Sequence, residues 1–183
     1  MEDEYIVDML IVEDILKFLY LKYTKSEHLK WKPEFTFRTF ANGRMKMQRW
    51  YEELGFPQYD QTVGLAVKNI MDMKKNYIIQ MYKEFLELDV VNGIEFANHA
   101  LRASPIFFPE GYNNGGFLGY CAAVMGVALC YLRNPPNDVL QYACGVVAQV
   151  LFSHQITDQF YEKGAWLGLY STSKNFNELV ADN

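Results

Sequence analysis

Apolar residues recur at helical spacing over most of this chain. Over residues 4 to 23, Ile6, Met9, Leu10, Ile15, Leu16, Leu19 and Tyr23 form one broad apolar face, and Val7, Ile11, Val12, Phe18 and Leu21 continue it around the cylinder. That spacing predicts a helix, and apolar positions on several faces predict that it is sandwiched in a core or meets another subunit. Glu2, Asp3 and Glu4 near its start and Lys17 and Lys22 near its end complement the helix dipole.

From Thr62 to Leu88, Val63, Val67, Ile70, Tyr77, Ile78, Met81, Phe85 and Leu88 share a face, which predicts one long helix. At the α-helical rise it would span about 40 Å. Asn92-Gly93 ends or turns it. A short helix from Ile94 to Ala103 follows, with Phe96, Ala100 and Ala103 inward and Pro105 as its stop. Ile106 to Gly116 then reads as the longest irregular loop, rich in Gly, Asn and Pro.

The most apolar stretch runs from Gly115 to Ile156. Phe117 to Leu132 carries no charge; Arg133-Asn134-Pro135-Pro136-Asn137-Asp138 interrupts, and Val139 to Ile156 resumes. This predicts an antiparallel helical hairpin with a proline-stiffened turn and Asp138 as the N-cap of the second helix. Gly115, Gly119, Ala122, Gly126 and Cys130 are expected to face Ala143, Cys144 and Ala148. A membrane hairpin is the competing reading. The first apolar run rises only about 24 Å, against a hydrocarbon core of about 30 Å, and a polar strip at Gln141, Gly145, Gln149 and Ser153 edges the second helix. Both points favour a buried core pair. The second helix is expected to run on to Lys163 and Gly164, Ala165 to Tyr170 to dock as a last short turn, and residues 171–183 to form a mobile tail after a single domain over 1–170.

Only the segment from Lys25 to Arg49 departs from this regime. Phe35 to Phe40 alternates like a strand and Asn42-Gly43 suits a hairpin turn, so a small β-hairpin near residues 35–49 is the expected exception in an otherwise all-α bundle of five to seven helices. The segment is also basic and aromatic. Lys30, Lys32, Arg38, Arg44, Lys46 and Arg49, with Trp31, would suit a charge-complementary protein interface or single-stranded nucleic acid. Glu2, Asp3, Glu4 and Asp8 would complement it on a neighbouring copy.

Composition narrows the reading further. The net charge of −5 gives no global attraction to nucleic acid or anionic lipid, so any such binding must be local. Cys121, Cys130 and Cys144 all fall inside the apolar hairpin; three thiols in such places read as core residues of a reducing compartment. With an acidic amino terminus, this predicts a cytoplasmic protein.

The candidate chemistry is thin. Glu95 with His99, and His154 with Asp158, are i,i+4 pairs that two facing helices would combine into a four-ligand metal site. Against that, His99 lies on a polar stripe and His154 continues an apolar one with Tyr142, Val146 and Val150. No triad order accompanies Cys121, and no Gly-Lys-Ser/Thr follows the glycines near Asn114. The sequence therefore points to a non-enzymatic interaction protein without cofactor: a subunit of a larger assembly, such as a viral or phage accessory or structural component. The alternatives are a metal-dependent enzyme built on the two histidine pairs, and nucleic-acid binding through residues 25–50.

Overall fold

The structure, a computed structural model, describes residues 2–24, 61–133 and 138–182. The segment carrying the expected β-hairpin and the basic residues Lys30, Lys32, Arg38, Arg44, Lys46 and Arg49, with Trp31, lies outside the described residues, as does the turn 134–137. The described residues form an all-α bundle of eight helices, one of them a single turn, and contain no strand.

Helix α1 (Glu2–Thr24) is sandwiched in the core, the first of its two expected fates. Leu10, Val12, Ile15, Leu16 and Leu19 are wholly buried, and Val7, Ile11, Phe18 and Tyr20 nearly so. Burying each large aliphatic side chain stabilises the fold by about 1.5–3 kcal/mol relative to leaving it in water. Asp8 is buried too, so it belongs to no exposed acidic face.

The expected long helix is two helices, α2 (Thr62–Met73) and α3 (Lys75–Glu87). Lys74 leaves helical geometry at φ −105° and ψ 17°. Hydrogen bonds from Lys74 N to Ile70 O (2.9 Å) and from Ile78 N to Lys74 O (3.0 Å) carry the ladder across the break. The break divides the packing. α2 lies against α1 and the later helices and buries Ala66, Val67 and Met71, whereas α3 buries only Ile78 and leaves Tyr77 exposed, as is Leu88 just beyond its end.

After α3 the chain turns through Asp89 at φ 55° into α4 (Gly93–Ala103). Asn92 therefore begins the next helix as well as closing the last: its Oδ1 accepts from Glu95 N at 3.0 Å. Phe96 and Ala100 point inward as expected. A 3₁₀ turn, Ser104–Phe107, and a loop lead to α5 (Asn114–Cys130), whose N-cap Asn113 accepts from Gly116 N at 2.6 Å.

Helices α5 and α6 (Val139–Ile156) are the predicted apolar pair and pack together, but the glycines of α5 serve other neighbours. A methyl group on Gly126 would lie 2.8 Å from Ile78 of α3, and one on Gly116 would strike the Phe107 carbonyl. The glycine stripe thus admits α3 and the 3₁₀ turn, not α6. Asp138 also departs from expectation, since its side chain caps no N–H of its own helix. Asp138 Oδ1 instead accepts from Gly93 N, at the start of α4, at 2.6 Å. Gly93 lies so close to the Tyr142 ring that any side chain there would collide with it, and this allows α4 to approach α6. Among the described residues, α6 alone is long and apolar enough to cross a membrane by length and composition, and 50% of that stretch is buried inside the bundle.

The last helix boundaries also differ from the reading. α6 stops at Ile156 because Asp158 turns left-handed at φ 60°, giving a single-turn α7 (Gln159–Glu162). Gly164 and Ala165, at φ 85° and 51°, start α8 (Ala165–Ala181). Residues 171–181 are therefore helical and docked: Asn177 Nδ2 donates to Thr62 O at 2.9 Å, and Asn69 Nδ2 donates to Asn177 Oδ1 at 3.0 Å. Leu169 and Ser173 are buried beneath them. The apolar positions Leu169, Phe176, Leu179 and Val180 were too sparse to announce this; the docking rests instead on side-chain amides, which sequence periodicity does not weigh.

Candidate functional site

The chemistry in the described residues gathers where α1, α6 and the 108–113 loop meet. Two apolar stripes build the site. On α1, Val12, Ile15 and Leu19 share a face with Asp8; on α6, Cys144, Ala148 and Leu151 share one with Gln155, and all eight residues are buried. Each polar residue thus enters the interior at the end of a line of apolar ones. Asp8 is 1% exposed, and Gln155 Nε2 donates to its Oδ1 at 3.0 Å. Tyr5 and Phe152 close the same interface edge to face, with ring centroids 5.6 Å apart.

Tyr112, from the loop, completes the cluster. Its phenol is pushed well above its usual range by burial first, and then by the negative charges that Cys121 and Asp8 would present to it. Its backbone N–H donates to Gln159 Oε1 at 3.0 Å, and the same oxygen lies 3.1 Å from His154 Nδ1. With Gln159 as acceptor, His154 carries its hydrogen on Nδ1. The imidazole is flanked by Phe108 and Tyr112, at ring-centroid distances of 4.6 and 5.2 Å. Burial holds His154 below its ordinary pKa, with the Gln159 hydrogen bond opposing in part. Two buried atoms here, Tyr112 Oη and Gln155 Oε1, have no hydrogen-bond partner among the described residues.

The histidine pairs do not make a metal site. His99 packs beside the Phe85 ring at 5.5 Å, and Glu95 Oε2 accepts from Val91 N at 3.3 Å ahead of α4. Asp158 is exposed at the left-handed corner after α6. No group of three or more His, Cys, Asp or Glu able to hold a metal occurs among the described residues. Cys121 and Cys144 are wholly buried, and burial drives both thiols far up, so neither is a ready nucleophile.

Periodicity singled out His154 and missed Asp8, Tyr112, Gln155 and Gln159. The signal for two of them was present: Asp8 and Gln155 interrupt otherwise apolar 4-3-4 stripes. Tyr112 and Gln159 lie in a loop and a single-turn helix, where periodicity carries no information. The chain matches no protein-family model, no curated protein and no solved structure. Fold and site together define an all-α bundle with an interior carboxyl, amide and phenol cluster.

Proposed function

We propose that the chain is a non-enzymatic protein-interaction or structural subunit of a larger assembly. The observation that carries this reading is the corner between α3 and α4, where Leu88, Val91 and Ile94 are 61%, 66% and 58% exposed within seven residues of chain. Single exposed apolar side chains are ordinary on protein surfaces, but a contiguous group of large ones favours an interface. The basic segment, through Arg44, Lys46 and Arg49, supplies the charged part of the same proposal.

The test is the solution mass by light scattering at two concentrations. Three proteins are compared: the wild type, Leu88→Asp with Val91→Asp, and Arg44→Glu with Lys46→Glu and Arg49→Glu. A discrete wild-type oligomer that either set dissociates, with helical content retained by circular dichroism, supports the reading. A monomer of the same mass in all three overturns self-association as its form.

A further inference from the structure

Helix α4 has two contrasting sides. Phe96 and Ala100 are buried in the bundle, while Ile94, Asn98 and Leu101 lie on the opposite side and are exposed. Their spacing, four residues and then three, is that of a seam between paired helices, and Asn98 occupies its middle. Apolar residues prolong the seam past both helix ends: Leu88 and Val91 precede it, and Ile106, 77% exposed, follows it. These extensions matter for size. α4 alone rises only about 16 Å, which is short for an interface of about 800 Å² per partner.

Charge decides what covers the seam. Glu95 and Arg102 are both exposed along one edge of it, about two turns apart and opposite in sign. That edge is complementary to its own reversed copy. With a second α4 laid antiparallel on the first and a two-fold axis at Asn98, Ile94 comes opposite the partner's Leu101 and Val91 opposite the partner's Pro105. Glu95 comes opposite the partner's Arg102, and symmetry repeats each contact. A parallel pairing in register instead brings Arg102 to the partner's Ala97 and joins no opposite charges.

We propose that this seam is where two copies of the chain associate, with their α4 helices antiparallel about Asn98 and two Glu95 to Arg102 contacts between them. The proposal rests on the reading of the chain as an interaction subunit and gives that reading a partner and a geometry. Asn98 fits the axis: a primary amide facing its own symmetry copy presents donor to acceptor twice, so the one polar residue of the seam is satisfied in this register.

Charge reversal tests the geometry. Arg102→Glu alone and Glu95→Arg alone each create two like-charged contacts in a dimer. Each is expected to raise the dimer dissociation constant about tenfold or more, read by light scattering over a range of concentrations with helical content checked by circular dichroism. An equimolar mixture of the two variants restores both opposite-charge contacts and is expected to recover the wild-type mass. Recovery on mixing separates a contact between copies from damage within one chain, which matters because Glu95 Oε2 also accepts from Val91 N. Asn98→Cys is expected to form a disulfide-linked dimer on mild oxidation. Ile94→Cys is not, since its two copies would be offset by about 12 Å along the helices.

A wild-type dimer that both reversals leave intact, or a mixture that fails to reassociate, would overturn the proposal while the interaction-subunit reading stands. A wild-type monomer would overturn the proposal together with self-association, and would leave the seam to a different protein.

Discussion

Helix α1 is fastened at both ends by an aspartate and a tyrosine, and the two fastenings work by different physics. Near its start, Asp8 sits in the interior against the Gln155 amide, with Tyr112 alongside. At its end, Tyr23 Oη donates to Asp72 Oδ1 at 2.6 Å, and Lys68 Nζ lies 2.6 Å from Asp72 Oδ2 at the surface. Burial would raise the Asp72 carboxyl, but hydrogen bonds from Lys68 and Tyr23 prevail and lower it. The surface pair is screened by water and salt, whereas the interior pair has no solvent to fall back on. An aspartate at one helix can thus form an adjustable latch or an obligatory joint, according to its depth and its partners.

Removing the partner at the buried end is the most severe way to break that contrast. Gln155→Ala deletes the amide and opens a void beside Asp8, and urea denaturation is expected to show a loss of about 2–4 kcal/mol. A loss under 1 kcal/mol would mean that the interior pair is no stronger a joint than the surface one.

Acid titration probes the same end through His154. Because burial lowers its folded-state pKa, its contribution is present above the unfolded value of about 6.5 and is lost as pH falls toward the folded one. Denaturant midpoints should therefore decline below that pH in the wild type and not in His154→Phe. Equal declines in both would remove His154 as the cause.

At the surface end, Asp72→Asn is expected to cost only about 0–1 kcal/mol, and less in high salt. Its carboxylate contributes above the unfolded aspartate value of about 3.9 and ceases to do so as pH falls, so the variant should differ least from the wild type in strong acid. A salt-independent loss as large as that of Gln155→Ala would erase the distinction between the two ends.

The finest test is Tyr112→Phe. Its hydroxyl is buried without a hydrogen-bond partner among the described residues, so deleting it should change stability by less than about 1 kcal/mol or raise it. A larger loss in thermal denaturation would reveal that the hydroxyl serves Asp8 directly.

The helical class and most helix positions were legible in the sequence because a 3.6-residue apolar period survives over long runs. That period also explains why α1, apolar on several faces, belongs in a core. The breaks were not legible. Lys74, Asp158 and Ala165 adopt their conformations without Pro, and only the last has Gly beside it, so tertiary packing rather than local propensity divides the chain there. The glycine stripe of α5 was visible, but a stripe does not name its neighbour: Ile78 and Phe107 occupy it where Ala143 and Ala148 were expected. Of the site, Asp8 and Gln155 announced themselves only as polar residues in apolar stripes. Their meeting joins positions 147 residues apart, which no local pattern encodes.

The bond from Gly93 N to the Asp138 carboxylate has a consequence for the order in which the molecule assembles. It supplies the first N–H of α4 with an acceptor 45 residues further along the chain, at the threshold of α6. The start of α4 is not complete until the two helices have met, and the whole of α5 lies between them. The loop-closure entropy of that meeting must be overcome before the bond is gained. However well Asn92 begins α4 locally, this bond at its first N–H exists only once α4 and α6 are docked together.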